Sequence, residues 1–171
     1  MYINTFKTIL GFFRSVLHRR NPFAQTDVSI DSIYNFLVIE GLFATSGQPS
    51  ETQFELIRNA GYELVINLAP ESVLENSLID ETQVLAKLGM AYVHIPVVFK
   101  KPTDDDFAVF VSSIRDNSTK KIWVHCAANM RVSAFTYRYR CSVLGGDERI
   151  AMLDLQKIWE PIGLWKTFIN R

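Results

Sequence analysis

Three short apolar runs, residues 64–68, 92–97 and 121–125, lie one helix-length apart, and that spacing leaves few folds open. The intervening stretches, 77–88 and 104–114, carry apolar residues at helical period, as does 131–144 after the last run. Strands separated by helices pair in parallel, through right-handed crossovers, because no tight hairpin can join them. The expected class is therefore α/β, a central mostly parallel sheet flanked by helices. Gly61, Gly89 and the Gly145-Gly146 pair fall just past helix ends, where a left-handed residue closes the last turn.

The flanks fill in the rest. Residues 37–45, with Glu40-Gly41 as the turn, read as a small hairpin after a helical turn over 29–36. Ser50, with Gln53 three residues on, is a capping-box start for a helix that buries Phe54, Leu56 and Ile57. Residues 147–170 read as two more helices, broken at Pro161. Trp123, Trp159 and Trp165 read as core or helix-packing residues, and His18 and His94 have no metal-ligand spacing.

At 171 residues and 48% hydrophobic, the chain supports one domain with a substantial core. Lys+Arg and Asp+Glu balance at 18 each, which argues against a nucleic-acid binder. Two cysteines, Cys126 and Cys141, make no disulfide framework, so a reducing compartment, the cytoplasm, suits the chain. Residues 1–26 stand apart as an amphipathic helix and linker, with 27–171 as the main domain. Tyr2, Phe6, Ile9, Phe13 and Val16 recur at helical spacing, while Lys7, Arg14, Arg19 and Arg20 supply only positive charge. The run is too interrupted to span a bilayer and its basic cluster is misplaced for a signal peptide. It suits a helix lying on an anionic membrane, or one docked on the domain or on a second subunit.

The chemistry concentrates where the third strand ends. Val124-His125-Cys126 runs into a loop, Ala127, Ala128, Asn129 and Met130, and Arg131 then opens a helix. A thiol in a strand-loop-helix turn faces successive backbone N–H groups and the positive end of a helix dipole. Such a setting binds an oxyanion and favours the thiolate, which a free thiol with pKa ~8.5 scarcely forms at neutral pH. The same strand turns His125 to the opposite face, where it would hydrogen-bond backbone and hold the loop. Cys141 lies in the following helix and reads as core packing, with a disulfide to Cys126 under oxidation as the alternative.

Several segments together resemble a small bacterial branch of the protein-tyrosine and dual-specificity phosphatases. They are Ser46-Gly47-Gln48-Pro49 before a helix, the Val65-Ile66-Asn67-Leu68 strand, the Ile95-Pro96-Val97 strand and the Cys126-to-Arg131 loop. The resemblance covers roughly residues 30–145 and implies a cysteine-phosphatase-like fold with extra N- and C-terminal helices. It also implies a cysteinyl-phosphate mechanism without metal or cofactor, acting on a phosphorylated protein or small molecule. Cys126 would be the nucleophile and Arg131 a bidentate clamp on phosphate oxygens. Backbone amides of 127–131 would form the cradle, Ser133 would donate a hydrogen bond to sulfur, and Gln48 would line the pocket. Asn129 stands where glycine is usual, and Asn tolerates the left-handed conformation that such a turn requires.

Two departures from that pattern open alternatives. The Cys-to-Arg loop is one residue shorter than in tyrosine phosphatases, a length closer to rhodanese-type sulfurtransferases, which carry a persulfide. Val98 and Phe99 occupy the stretch after 95–97 where an aspartate acid is usual. Asp104, Asp105 and Asp106 could supply that acid, or they could simply cap a helix together with Thr103. Glu71 and Glu75 are weaker candidates. The alternatives to a phosphatase are thus a sulfurtransferase and a non-catalytic phosphate-binding module.

Overall fold

The chain is described here by a computed structural model covering residues 3–19, 29–71 and 80–171, with side chains left out at 17–19. Five strands, β1 (Leu37–Ile39), β2 (Phe43–Ser46), β3 (Leu64–Asn67), β4 (Ala91–His94) and β5 (Ile122–His125), form one sheet. Their order is β1-β2-β5-β3-β4; β1 and β2 are antiparallel and every other pair is parallel. Gly41, at φ +74°, makes the β1–β2 turn that the sequence places there.

Seven α-helices accompany the sheet among the described residues: α1 (Ile3–Arg19), α2 (Glu51–Asn59), α3 (Glu81–Lys87), α4 (Asp104–Arg115), α5 (Met130–Arg138), α6 (Glu148–Ile158) and α7 (Leu164–Ile169). Ser50 and Gln53 close the expected capping box at the start of α2. The helix expected over 77–88 is seen from residue 81, capped by Asp80; residues 77–79 lie outside the described residues.

Strand side chains alternate between faces, and the core divides accordingly. Leu64, Ile66, Ile122 and Val124 face α4, α5, α6 and α7 in a cluster rich in rings, among them Phe107, Phe110, Phe135, Trp165 and Phe168. Val65 and Trp123 face the other way, against Phe54 and Ile57 of α2 and Leu85 of α3. Both β3 and β5 are buried along their whole length, as the centre of a parallel sheet covered on both faces must be.

Two elements are shorter than their patterns suggest. β4 ends at His94 instead of reaching 97, because Pro96 has no N–H to continue the ladder. The helix expected over 131–144 keeps α geometry to Arg138 and widens to a π turn over Tyr139–Val143. The Gly146 N–H then closes on the Arg140 carbonyl at 2.8 Å.

Candidate active site

Cys126 sits at the carboxyl end of β5, 1% exposed, with its N–H donating to the Ser46 carbonyl at 3.3 Å. The loop after it is held from outside by its carbonyls. The Gln48 N–H donates to Ala127 O at 3.2 Å, and the Asn35 side-chain amide donates to Ala128 O at 3.0 Å. A trans peptide points its C=O and the following N–H in opposite directions. With both carbonyls tied, the Ala128 N–H points away from Gln48 and the Asn129 N–H away from Asn35. The first amides of α5, from Met130 and Arg131, continue the series at the helix's positive end.

Asn129 takes the left-handed conformation, φ +65°. Its side-chain amide donates to Asn35 O at 2.7 Å and to Thr45 Oγ1 at 3.0 Å, which fixes the turn from below. Gly47 is required for a different reason. A Cβ there would lie 2.9 Å from the Tyr34 ring and 3.0 Å from Ala127 O, so any side chain would push the loop away.

Arg131 lies in the first turn of α5, 3% exposed, with its guanidinium carbon 5.3 Å from the centroid of the Phe99 ring. Phe99 is itself wedged against Trp159 and Trp165, and its carbonyl accepts from the Trp165 indole at 2.9 Å. The residue standing where the family resemblance leads one to expect an acid therefore packs on Arg131.

Behind the loop lies a buried polar cluster that inspection of the chain missed. Glu81, 4% exposed, meets His125 Nε2 at 2.8 Å through one carboxylate oxygen and accepts from Gln48 Nε2 at 2.9 Å through the other. The Asn67 amide donates to Glu81 at 3.3 Å and to the Tyr92 hydroxyl at 3.2 Å. Burial alone would push the Glu81 carboxyl up, but the charge and hydrogen bond of His125, with bonds from Gln48 and Tyr92, hold it below its ordinary value. Tyr92 is pushed up, first by burial and then by the Glu81 charge beside it. One signal pointed to the cluster: Asn67 and His125 are polar residues ending two apolar strands, and they pair in register.

Several expected site residues are placed otherwise. The Gln48 side chain is turned into the Glu81 cluster, 1% exposed, instead of lining a pocket. The Ser133 hydroxyl donates to Met130 O at 3.0 Å and accepts from the Trp159 indole at 3.1 Å, so its hydrogen is committed to backbone and not to sulfur. Asp104 is a correction. Its carboxylate accepts from Arg138 at 2.7 Å and from Arg171 at 3.3 Å. Hydrogen bonding to Arg138, ahead of Arg171, holds it below the usual carboxylate range, which makes it a poor proton donor. Thr103 and Asp106 form a reciprocal cap at the start of α4, each backbone N–H donating to the other's side chain at 3.0 Å. Cys141 lies half-buried, its thiol pushed up by burial. His94 meets the Ala69 carbonyl at 2.7 Å. Glu71 is exposed, and Glu75 lies outside the described residues.

Comparison with known proteins places this arrangement. Residues 26–159 match the family PTP-NADK, described as a DSP-PTPase phosphatase fused to NAD+ kinase. A DUF442 phosphatase-like protein of Shewanella putrefaciens CN-32 superimposes with a TM-score of 0.72 at 29% identity, over 82% of this chain and 92% of that one. The core catalytic domain of the PP-IP phosphatase SIW14 from S. cerevisiae gives 0.68 at 14% identity, over 81% and 85%. TpbA of P. aeruginosa gives 0.66 at 16%, over 85% and 87%; these last two share the fold alone. No curated protein matches the chain significantly.

Proposed function

The chain belongs to the family of DSP-type phosphatase domains, and from that premise we propose that it hydrolyses phosphate monoesters through Cys126. The observation that carries the reading is the loop whose carbonyls are tied outward, with a thiol at its start and an arginine at its end. The Cys126 thiolate attacks phosphorus, an S–P bond forms, and the ester oxygen leaves with the bonding electrons. Loop amides and the Arg131 fork take up the charge on the phosphoryl oxygens. Water then attacks the cysteinyl-phosphate, giving inorganic phosphate and the thiolate again. Glu81, through His125 and Gln48, holds the loop from behind and is a positioning residue.

Phe99 in place of an acid selects the substrate. With no acid at that position, an ester whose leaving oxygen departs readily as an anion is favoured, which suits an aryl phosphate; general-acid help is worth roughly 10²–10⁴ in rate. A TpbA variant was solved with pTyr, an ester of that type. Membership in a phosphatase family leaves the persulfide reading without support. Residues 27–171 form the catalytic domain in this reading, within a reducing compartment such as the cytoplasm, and residues 1–20 add a contact surface toward a membrane or a second copy.

The test is turnover of p-nitrophenyl phosphate in chelator, together with iodoacetamide labelling. Expected are slow turnover blocked by vanadate, none in Cys126→Ser, and a loss of about 10²–10³ in Arg131→Lys. Phosphate should protect Cys126 from alkylation and leave Cys141 untouched. A chain without turnover, whose Cys126 reacts equally with and without phosphate, would remove the enzyme reading.

A further inference from the structure

α1 is docked by its polar face. The Thr8 hydroxyl, 4% exposed as a residue, donates to the Ile158 carbonyl at 2.5 Å, and the Asn4 amide donates to Gln156 O at 2.8 Å. The Glu160 N–H donates to Thr5 Oγ1 at 2.9 Å, and the Tyr34 hydroxyl donates to the Thr8 carbonyl. Gly11 lies directly beneath the Tyr34 ring, where a Cβ would come within 2.8 Å of the hydroxyl oxygen. The opposite arc holds Ile3, Phe6, Ile9, Leu10 and Phe13, exposed by 63%, 68%, 45%, 52% and 59%.

A surface helix ordinarily buries its apolar stripe and leaves the polar one in water. Here the order is inverted, and a row of five large apolar side chains is held outward by hydrogen bonds on the other side. Such a row marks a contact surface. Lys7 and Arg14 border it, both exposed, and the chain has no acidic residue before Asp27.

We propose that this face of α1 lies on an anionic lipid surface. The charge on α1 favours the bilayer over a second copy of the chain. In a two-fold contact the same patch meets itself, so the basic border would face basic residues, with no carboxylate on α1 to pair them. An anionic leaflet attracts each such residue, while the headgroup boundary accepts the apolar row. Among the described residues no helix is long and apolar enough to cross a membrane, so the contact is interfacial. Ile150 and Leu153 of α6, 48% and 57% exposed, share a shallow groove with Asn4, Lys157 and Asp154, a carboxylate already paired with Arg140 and Lys157.

The contact also orients the site. The Asn35 amide that donates to Ala128 O also reaches Thr8 Oγ1, at 3.4 Å. One side chain thus joins the membrane helix to the loop of Cys126, and the docked protein holds that loop at a fixed attitude to the lipid.

The inference does not depend on the chemistry at Cys126, and its test is separate. The full chain is sedimented with phosphatidylcholine vesicles, with and without phosphatidylserine, at low and high salt. Pelleting with the anionic vesicles alone, reversed by salt, is expected. Phe6→Glu/Phe13→Glu should weaken it at least about a hundredfold, since two large apolar side chains leave the contact. Lys7→Glu/Arg14→Glu should abolish it while leaving p-nitrophenyl phosphate turnover unchanged, and provides the same test should the first pair fold poorly. Equal pelleting with neutral lipid, or none at all, would overturn the proposal. So would a dimer in sedimentation velocity that Phe6→Glu/Phe13→Glu dissociates.

Discussion

The two faces of the sheet meet the Cys126 loop in opposite ways. On the side of α4 to α7 the core is dry and aromatic, with Phe135 and Phe168 at 4.9 Å and Phe110 edge-on to Phe135 at 5.5 Å. On the side of α2 and α3 the same apolar packing stops one residue short of the loop, where Glu81, His125, Asn67 and Gln48 take over. Dispersion contacts are many and individually weak, so an aromatic wall yields by degrees. A buried carboxylate depends on a few partners, and losing one leaves a charge or a donor stranded.

That contrast can be broken most directly at Glu81. Glu81→Ala is expected to cost about 3–5 kcal/mol in chemical denaturation, because His125 and Gln48 lose their partner in a dry site. The informative variant is the pair Glu81→Leu/His125→Phe, expected to be less destabilised than Glu81→Ala, since no half-satisfied polar group remains. Additive costs in the double mutant would show that packing, and not pairing, holds this side.

Titration sharpens the contrast further. Glu81 has its carboxyl held below the ordinary value in the folded chain, so its pairing is fully present above the unfolded carboxyl range. It is lost as pH falls through the folded value, which lies below that of an ordinary carboxyl. Wild type should therefore lose stability more steeply than Glu81→Gln between pH 5 and 3, measured by urea midpoints. Parallel curves would assign the acid sensitivity to other carboxylates.

The smallest effect is expected at the rim. Tyr92→Phe removes one hydroxyl from a half-buried side chain and should cost about 1 kcal/mol by thermal melting. A cost as large as that of Glu81→Ala would make the tyrosine part of the cluster's centre.

What was legible in the chain follows the range of the interactions involved. Strand and helix periods are local, and so are the Ser50 cap, the Gly41 turn and the Cys126-to-Arg131 spacing; each stands as its neighbours dictate. Glu81 was illegible because an acid at the first position of a helix looks like ordinary charge at a helix start. Its meaning comes from His125, which is 44 residues distant in the chain. Asp104 misled for the same reason in reverse: its arginine partners lie 34 and 67 residues away. The polar face of α1 is likewise defined by Ile158 and Gln156, some 150 residues away. The exposure of its phenylalanines could not be read from the periodicity, which shows two faces without saying which one docks.

The outward ties of the loop carbonyls have a thermodynamic consequence. Ala127 and Ala128 cannot flip their peptide planes without giving up the bonds to Gln48 and Asn35. In the proposed function an arriving anion meets a loop already set, and its binding should leave the chain's own entropy almost unchanged. Calorimetry of phosphate binding should then register the exchange of hydration water, with little contribution from ordering of the protein.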